Sequence, residues 1–103
     1  MSQNKVLSLI GLATKAGKVT SGEFSTEKSV KTGHANIVIV SEEASENTKK
    51  KFRNMCEYYQ VPIYLYGTKN ELGKAMGKEF RASLAVQDAG LAKAIEKVLH
   101  ETS

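Results

Sequence analysis

Residues 22–40, GEFSTEKSVKTGHANIVIV, decide the architecture. Residues 22–33 have the composition of a helix, yet only Phe24 and Val30 among them are large and apolar. Ile37-Val38-Ile39-Val40 contains no polar residue at all. An apolar run of strand length predicts a strand buried on both faces, central in its sheet. A helix as polar as the one before it cannot be held mainly by core burial, because most helical stability comes from packing an apolar face. In a short chain, an under-buried helix beside a fully buried strand predicts a surface kept for binding.

Reading outward from this stretch gives regular alternation. Residues 4–14 place Val6, Leu7, Leu9, Ile10 and Ala13 at helical spacing, and Gly17 ends the pattern. Lys18-Val19-Thr20-Ser21 reads as a short strand. The polar helix runs from about Gly22 to Lys31, with Ser21 as the expected N-cap and Gly33 as its stop. Asn36–Val40 is the buried strand. A helix over 45–60 carries Phe52, Met55, Cys56 and Tyr59 as one apolar stripe, and Val61-Pro62 breaks it. Ile63-Tyr64-Leu65-Tyr66 is the third strand, Lys69 to Met76 a short helix closed by Gly77, and Ser83-Leu84-Ala85-Val86 the fourth strand. Asp88 is placed to cap a last helix with Leu91, Ala94, Ile95, Val98 and Leu99 on its buried face. The order α-β-α-β-α-β-α-β-α predicts an α/β fold with helices on both faces of a sheet.

Composition narrows the class. With 103 residues, 41% hydrophobic and 25% charged, the chain is one folded domain with room for one core. No apolar run approaches the roughly 18 residues of a spanning helix, so no membrane role is expected. Met1-Ser2-Gln3-Asn4-Lys5 lacks the pattern of a signal peptide. The one cysteine, Cys56, cannot form an internal disulfide. These readings favour the cytoplasm. A net charge of +4 is compatible with a polyanionic partner without demanding one.

The short motifs argue mostly against catalysis. Gly11-Leu-Ala-Thr-Lys-Ala-Gly17-Lys18 has five residues between its glycines where a phosphate loop needs four, and Val19 stands where that loop needs Ser or Thr. Gly73-Lys-Ala-Met-Gly77-Lys78 has three. Aiming successive N–H groups at phosphates depends on the spacing, so neither is a nucleotide loop. His34 and His100 have no metal-spaced partners. Cys56 lies on the apolar stripe of its helix and reads as a small buried hydrophobe. Glu42 and Glu43 follow the central strand, where ligands of open sheets tend to sit, but as a catalytic pair they lack a nucleophile or metal set.

The basic residues are more suggestive. Lys49-Lys50-Lys51 with Arg53 read as a solvated face or a binding face. Lys18, Lys28 and Arg81 are expected to converge on one end of the sheet. The N-terminus of the polar helix would add free amides and a positive dipole there, suited to a phosphate.

The succession Ser21-Gly22, Lys28-Ser29-Val30, Gly33, Ala35, Ile37–Val40 and Ser41-Glu42-Glu43-Ala44 resembles the kink-turn-binding ribosomal family typified by archaeal large-subunit protein seven-Ae. Val61-Pro62, Leu72-Gly73-Lys74-Ala75-Met76-Gly77 and Leu84-Ala85-Val86-Gln87-Asp88-Ala89-Gly90 extend the likeness over nearly the whole chain. Asn47-Thr48-Lys49-Lys50 and Cys56-Glu57-Tyr58-Tyr59 are similar to its short bacterial, YlxQ-type members. The resemblance implies a three-layer α/β/α sandwich around a four-stranded mixed sheet, a single RNA-binding domain over residues 1–103, and no catalysis or cofactor. It implies that the N-terminus of the helix at Gly22 enters a kinked RNA internal loop. A lysine matching Lys28 would contact RNA, as would Glu42 or Glu43 and the loop Arg81-Ala82-Ser83. Where the family reads sheared G·A pairs with Asn-Glu, this chain has Phe24-Ser25. An amide and a carboxylate can hydrogen-bond base edges; a phenyl ring cannot. Phe24 either stacks on an unpaired base or packs into the core.

The leading expectation is a monomeric RNA-binding protein of the ribosome or translation apparatus. Lys18, Lys28 and Arg81 would meet phosphates. Gly22, Glu23, Phe24 and Ser25 would form the docking edge, with Lys31, Glu42, Ala82 and Ser83 around it. The rival expectation, motivated by the missing Asn-Glu pair, is a module that docks on a ribosomal protein or translation factor.

Overall fold

The all-apolar run is an inner strand of a four-stranded sheet. In the structure, a computed structural model that describes residues 4–102, the elements are α1 (Lys5–Lys15), β1 (Val19–Ser21), α2 (Glu23–Lys31), β2 (Ile37–Val40), α3 (Glu46–Tyr59), β3 (Ile63–Leu65), α4 (Lys69–Ala75), β4 (Ser83–Val86) and α5 (Ala89–Thr102). Met1, Ser2 and Gln3, part of the stretch whose composition argued against a signal peptide, lie outside the described residues. The sheet order is β1-β4-β2-β3. β4 runs antiparallel to both β1 and β2, whereas β2 and β3 are parallel, so the sheet is mixed.

The two-residue period of a strand sorts the core into two layers. Ile37 and Ile39 of β2, with Leu84 and Val86 of β4, pack with Val6, Ile10, Leu72, Met76, Ile95 and Leu99 of α1, α4 and α5. Val38 and Val40, with Ala85, pack with Val30, Phe52 and Cys56 of α2 and α3. The result is a three-layer α/β/α sandwich. β4 is buried on both faces as fully as β2.

The local signals are physical ones. Asp88 accepts from the Leu91 amide at 2.8 Å and so caps α5 as expected. Ser45 caps α3 through the Thr48 amide at 3.1 Å. Thr68 and Glu71 close a capping box at α4, a signal not singled out in the sequence. The expected cap of α2 is corrected. Ser21 ends β1, and Gly22 is the N-cap residue, at φ 92° and ψ 157° with no side chain to cap with. That conformation is open to glycine and strained for any other residue. The stripe on α3 is also shorter than read: Phe52 and Cys56 are buried, but Tyr59 is exposed and meets Tyr58 edge-on at 4.9 Å.

The polar composition of α2 has its explanation in β4. The residues of β4 and its extension that face α2 are small or polar: Ser83, Ala85 and Gln87. Ser83 Oγ donates to Thr26 Oγ1 at 3.4 Å, and Gln87 Nε2 donates to Ser29 Oγ at 2.7 Å. Thr26 and Ser29 are buried with Val30. Satisfied hydroxyls can be buried where unpaired ones would be costly, so this helix docks with one large apolar anchor.

Candidate nucleic-acid interface

One end of the sheet gathers the end of β1, the start of α2, the start of β4 and the end of β2. The Gly22 amide donates to the Ser83 carbonyl at 3.0 Å, and the Ser41 amide to the Ala82 carbonyl at 2.8 Å. Arg81 closes the arrangement. Its Nε donates to Ser21 Oγ at 3.2 Å and its Nη1 to the Phe80 carbonyl at 2.8 Å. The loop before β4 is thereby tied to the strand end that leads into α2.

Three features of this end suit a polyanion. No side chain caps α2, so its first-turn amides keep no intrahelical or side-chain acceptor and add to the positive end of the helix dipole. Lys28 is exposed, and among the described residues it and Arg81 have no carboxylate partner within salt-bridge distance. Lys28 also borders a hydroxyl-rich groove of about 330 Å³ shared with Thr20, Ser25, Ser29, Thr32 and Gln87. Thr20 Oγ1 in that groove is buried without a partner among the described residues.

Other expected site residues have other occupations. Glu23 pairs with Lys51 of α3 at 3.0 Å, and Glu27 takes Lys51 at 2.8 Å and Lys31 at 2.7 Å. The hydrogen bond from Lys31, then that from Lys51, holds the Glu27 carboxyl far down, at about 2. The Lys51 ammonium is correspondingly raised, by Glu27 first and Glu23 second. These pairs pin the α3-facing side of α2 and leave Lys28 to the other side. Ser83 is 1% exposed, so its side chain supports α2 instead of meeting a ligand. Ala82 packs against the α2–α3 core. Glu43 Oε1 accepts the Lys69 amide at 2.9 Å at the start of α4; both carboxylates after β2 are exposed, and Glu43 is the one engaged in this way. Cys56 is buried, and burial pushes its thiol up to about 11, which removes it as a nucleophile.

The expected convergence of Lys18, Lys28 and Arg81 on one end of the sheet is corrected: Lys18 and Arg81 lie at opposite ends of β1, and Lys28 lies between them, in a groove that reaches Gln87. The Lys18 carbonyl accepts the Gln87 amide at 2.7 Å, beyond the far end of β4. Arg81 precedes β4. The length of β1, about 10 Å, separates the two. Phe24, whose direction was open, is 79% exposed and does not enter the core. Phe80, which no periodicity marks, is 67% exposed in the same loop as Arg81.

Residues 4–96 match the pattern of the Ribosomal protein L7Ae/L30e/S12e/Gadd45 family. The chain belongs to this family. Among relatives in the L7Ae/L30e/S12e/Gadd45 family, the RNA-binding protein YlxQ of Bacillus subtilis (strain 168) is 39% identical over 99 residues, 96% of this chain and 99% of that protein. The large ribosomal subunit protein eL30 of Candida albicans is 38% identical over 95 residues, 86% of each chain. A solved structure of a protein of unknown function from Bacillus halodurans superposes with a TM-score of 0.90 at 38% identity, covering 93% of this chain and 97% of that one. The 15.5kD RNA binding protein of Giardia lamblia shares the fold, with a TM-score of 0.78 at 24% identity over 91% of this chain and 84% of that one. Among the described residues no cluster of His, Cys, Asp or Glu could hold a metal ion, and no helix is long and apolar enough to cross a membrane.

Proposed function

We propose that this chain binds structured RNA in a ribosomal or translation setting, through the sheet end where α2 begins. The observation that carries the reading is the uncapped N-terminus of α2 at Gly22, set beside two cations, Lys28 and Arg81, that no carboxylate neutralises. Backbone amides at a helix start bind phosphate oxygens, and unpaired cations displace counterions from RNA. Membership in a family whose relatives are named as RNA-binding and ribosomal proteins supports the same reading. Gly22, Phe24, Ser25 and Lys28 form the docking edge, Arg81 the opposite wall, and Glu42 borders it. The target is a kinked internal loop or a related irregular RNA, bound by a monomer in the cytoplasm, with ribosomal proteins or translation factors as neighbours. Lys28→Ala tests this by fluorescence anisotropy with a labelled internal-loop hairpin. Affinity should fall across RNA sequences, and the slope of log K against log salt should shrink by about 0.7–0.9 if one phosphate contact is lost. An unchanged affinity and slope would remove Lys28 from the interface.

A further inference from the structure

Helix α1 exposes one face on the side of the sheet away from α2. Ser8 is exposed in the middle of that face, and three grooves meet at it. One, of about 450 Å³, runs between α1 and the end of α4 and is lined by Gly11, Leu12, Lys15, Ala75 and Met76. A second, of about 370 Å³, lies between α1 and α5 with Lys5, Leu9, Ala94, Lys97 and Val98 along it. The third, of about 330 Å³, adds Leu7 and Lys74. A Cβ on Gly11 would meet the Ala75 carbonyl oxygen at 3.2 Å, so the bare glycine lets α1 and α4 close up and gives the first groove a low floor. Leu12 stands at its rim, 54% exposed and in neither core cluster.

The walls of these grooves are mostly aliphatic and their rims are cationic. Lys5, Lys15, Lys74 and Lys97 are exposed, and among the described residues none has a carboxylate within salt-bridge distance. Two carboxylates border the same grooves. Glu71 is engaged by the Thr68 amide at 2.9 Å, and Glu101 lies along the α5 groove with Lys5 and Lys97. The face therefore keeps an excess of positive charge around an apolar floor. A phosphate backbone would meet the lysines and leave the aliphatic walls wet. A peptide segment with aliphatic side chains flanked by carboxylates complements both. Lys5 and Lys15 lie ten residues apart on α1, roughly 15 Å at the helical rise, which about three turns of a second helix would span. An apolar helix face laid in a groove is a recurring mode of peptide recognition.

We infer that the α1 face docks an acidic amphipathic helix of a protein partner, with aliphatic side chains in the grooves around Ser8 and carboxylates on Lys5, Lys15 and Lys97. The surface belongs to the layer of α1, α4 and α5, across the sheet from α2. It does not depend on the RNA reading, and it lets the chain hold RNA on one side and a protein segment on the other.

The test uses the full chain and a fluorescein-labelled peptide of about fourteen residues, roughly 21 Å long as a helix, with Leu at helical spacing and Glu between. Two controls replace every Glu by Gln or scramble the order. Wild type should bind the acidic amphipathic peptide saturably and about tenfold more tightly than either control, and added salt should weaken it because the ion pairs are exposed. Leu12→Glu should cost roughly tenfold, the loss of a part-buried leucine with a repelling charge in its place. Lys15→Gln and Lys97→Gln should each cost roughly 2- to 5-fold, the range of an exposed ion pair. All three positions are exposed, and circular dichroism verifies that the variants keep the fold. The internal-loop hairpin should bind Leu12→Glu and Lys97→Gln like wild type. A peptide bound no better than its controls, or bound equally by all the variants, overturns the inference while leaving the RNA reading untouched. A duplex RNA weakened by Lys15→Gln and Lys97→Gln, with no peptide binding, would give this face to nucleic acid. A dimer in analytical ultracentrifugation that Leu12→Glu abolishes would give it to a second copy of the chain.

Discussion

Phe24 and Glu27 lie three residues apart on α2, and their side chains take different roles. Glu27 faces α3 and is held between Lys31 at 2.7 Å and Lys51 at 2.8 Å. Its carboxyl is lowered from an ordinary value of 4.5 to about 2, first by Lys31 and then by Lys51. The folded state therefore holds this proton more weakly than the unfolded chain does. The stabilisation is present above about pH 4.5 and is lost as pH falls toward 2. Urea unfolding of wild type and Glu27→Gln should accordingly show wild type more stable near neutrality, with the difference closing as the solution is acidified through that window. A gap that is constant from neutral pH down to pH 2 would mean the pairs do not hold α2. Phe24 borders the same groove as Glu27 but extends into solvent. Composition left it two destinations, and the structure selects the exposed one because Thr26, Ser29 and Val30 already fill the space beneath the helix.

At the scale of the element, the loop between α4 and β4 is set by one glycine. A Cβ on Gly73 would lie 1.3 Å from the Glu79 carbonyl oxygen and 2.4 Å from its carbon, both backbone atoms. No rotamer change relieves that overlap, so the loop packs on α4 only with glycine there. Gly73→Ala should lower stability by about 1–3 kcal/mol, the usual cost of overpacking, read as a shifted midpoint in urea unfolding. It should also weaken binding of the internal-loop hairpin, because Arg81 rides on the displaced loop. A midpoint and an affinity both equal to wild type would show that the loop has room to spare. The pattern Leu72-Gly73 through Gly77 was visible in the sequence as part of a family likeness, but the backbone contact that requires the glycine was not.

At the scale of the whole molecule, the sheet divides the cations by end. Lys18 sits beside Gln87, while Arg81 and Gly22 lie at the opposite end of β1 and β4. Lys18→Ala should therefore reduce RNA affinity and salt slope by less than Arg81→Ala does in the same titration. An equal loss would place RNA along the full length of β1. Lys18 and Arg81 both lie near element ends, but which end of the sheet each occupies depends on the antiparallel register of β1 and β4, in which Val19 faces Val86 and Ser21 faces Leu84. Much else was legible because it is local. The stripes of α1 and α5, the break at Pro62, the Asp88 cap and the central place of Ile37–Val40 all follow from periodicity and capping over a few residues. By itself the sequence determined the order of elements, the two-sided burial of β2, the polarity of α2 and the family to which the chain belongs. Only the tertiary structure decided that α2 rests on Ser83 and Gln87, that Arg81 ties Phe80 to Ser21, and that Phe24 faces water. Those contacts join residues 57 to 60 positions apart, and pairings at that range depend on strand order, which no local pattern encodes.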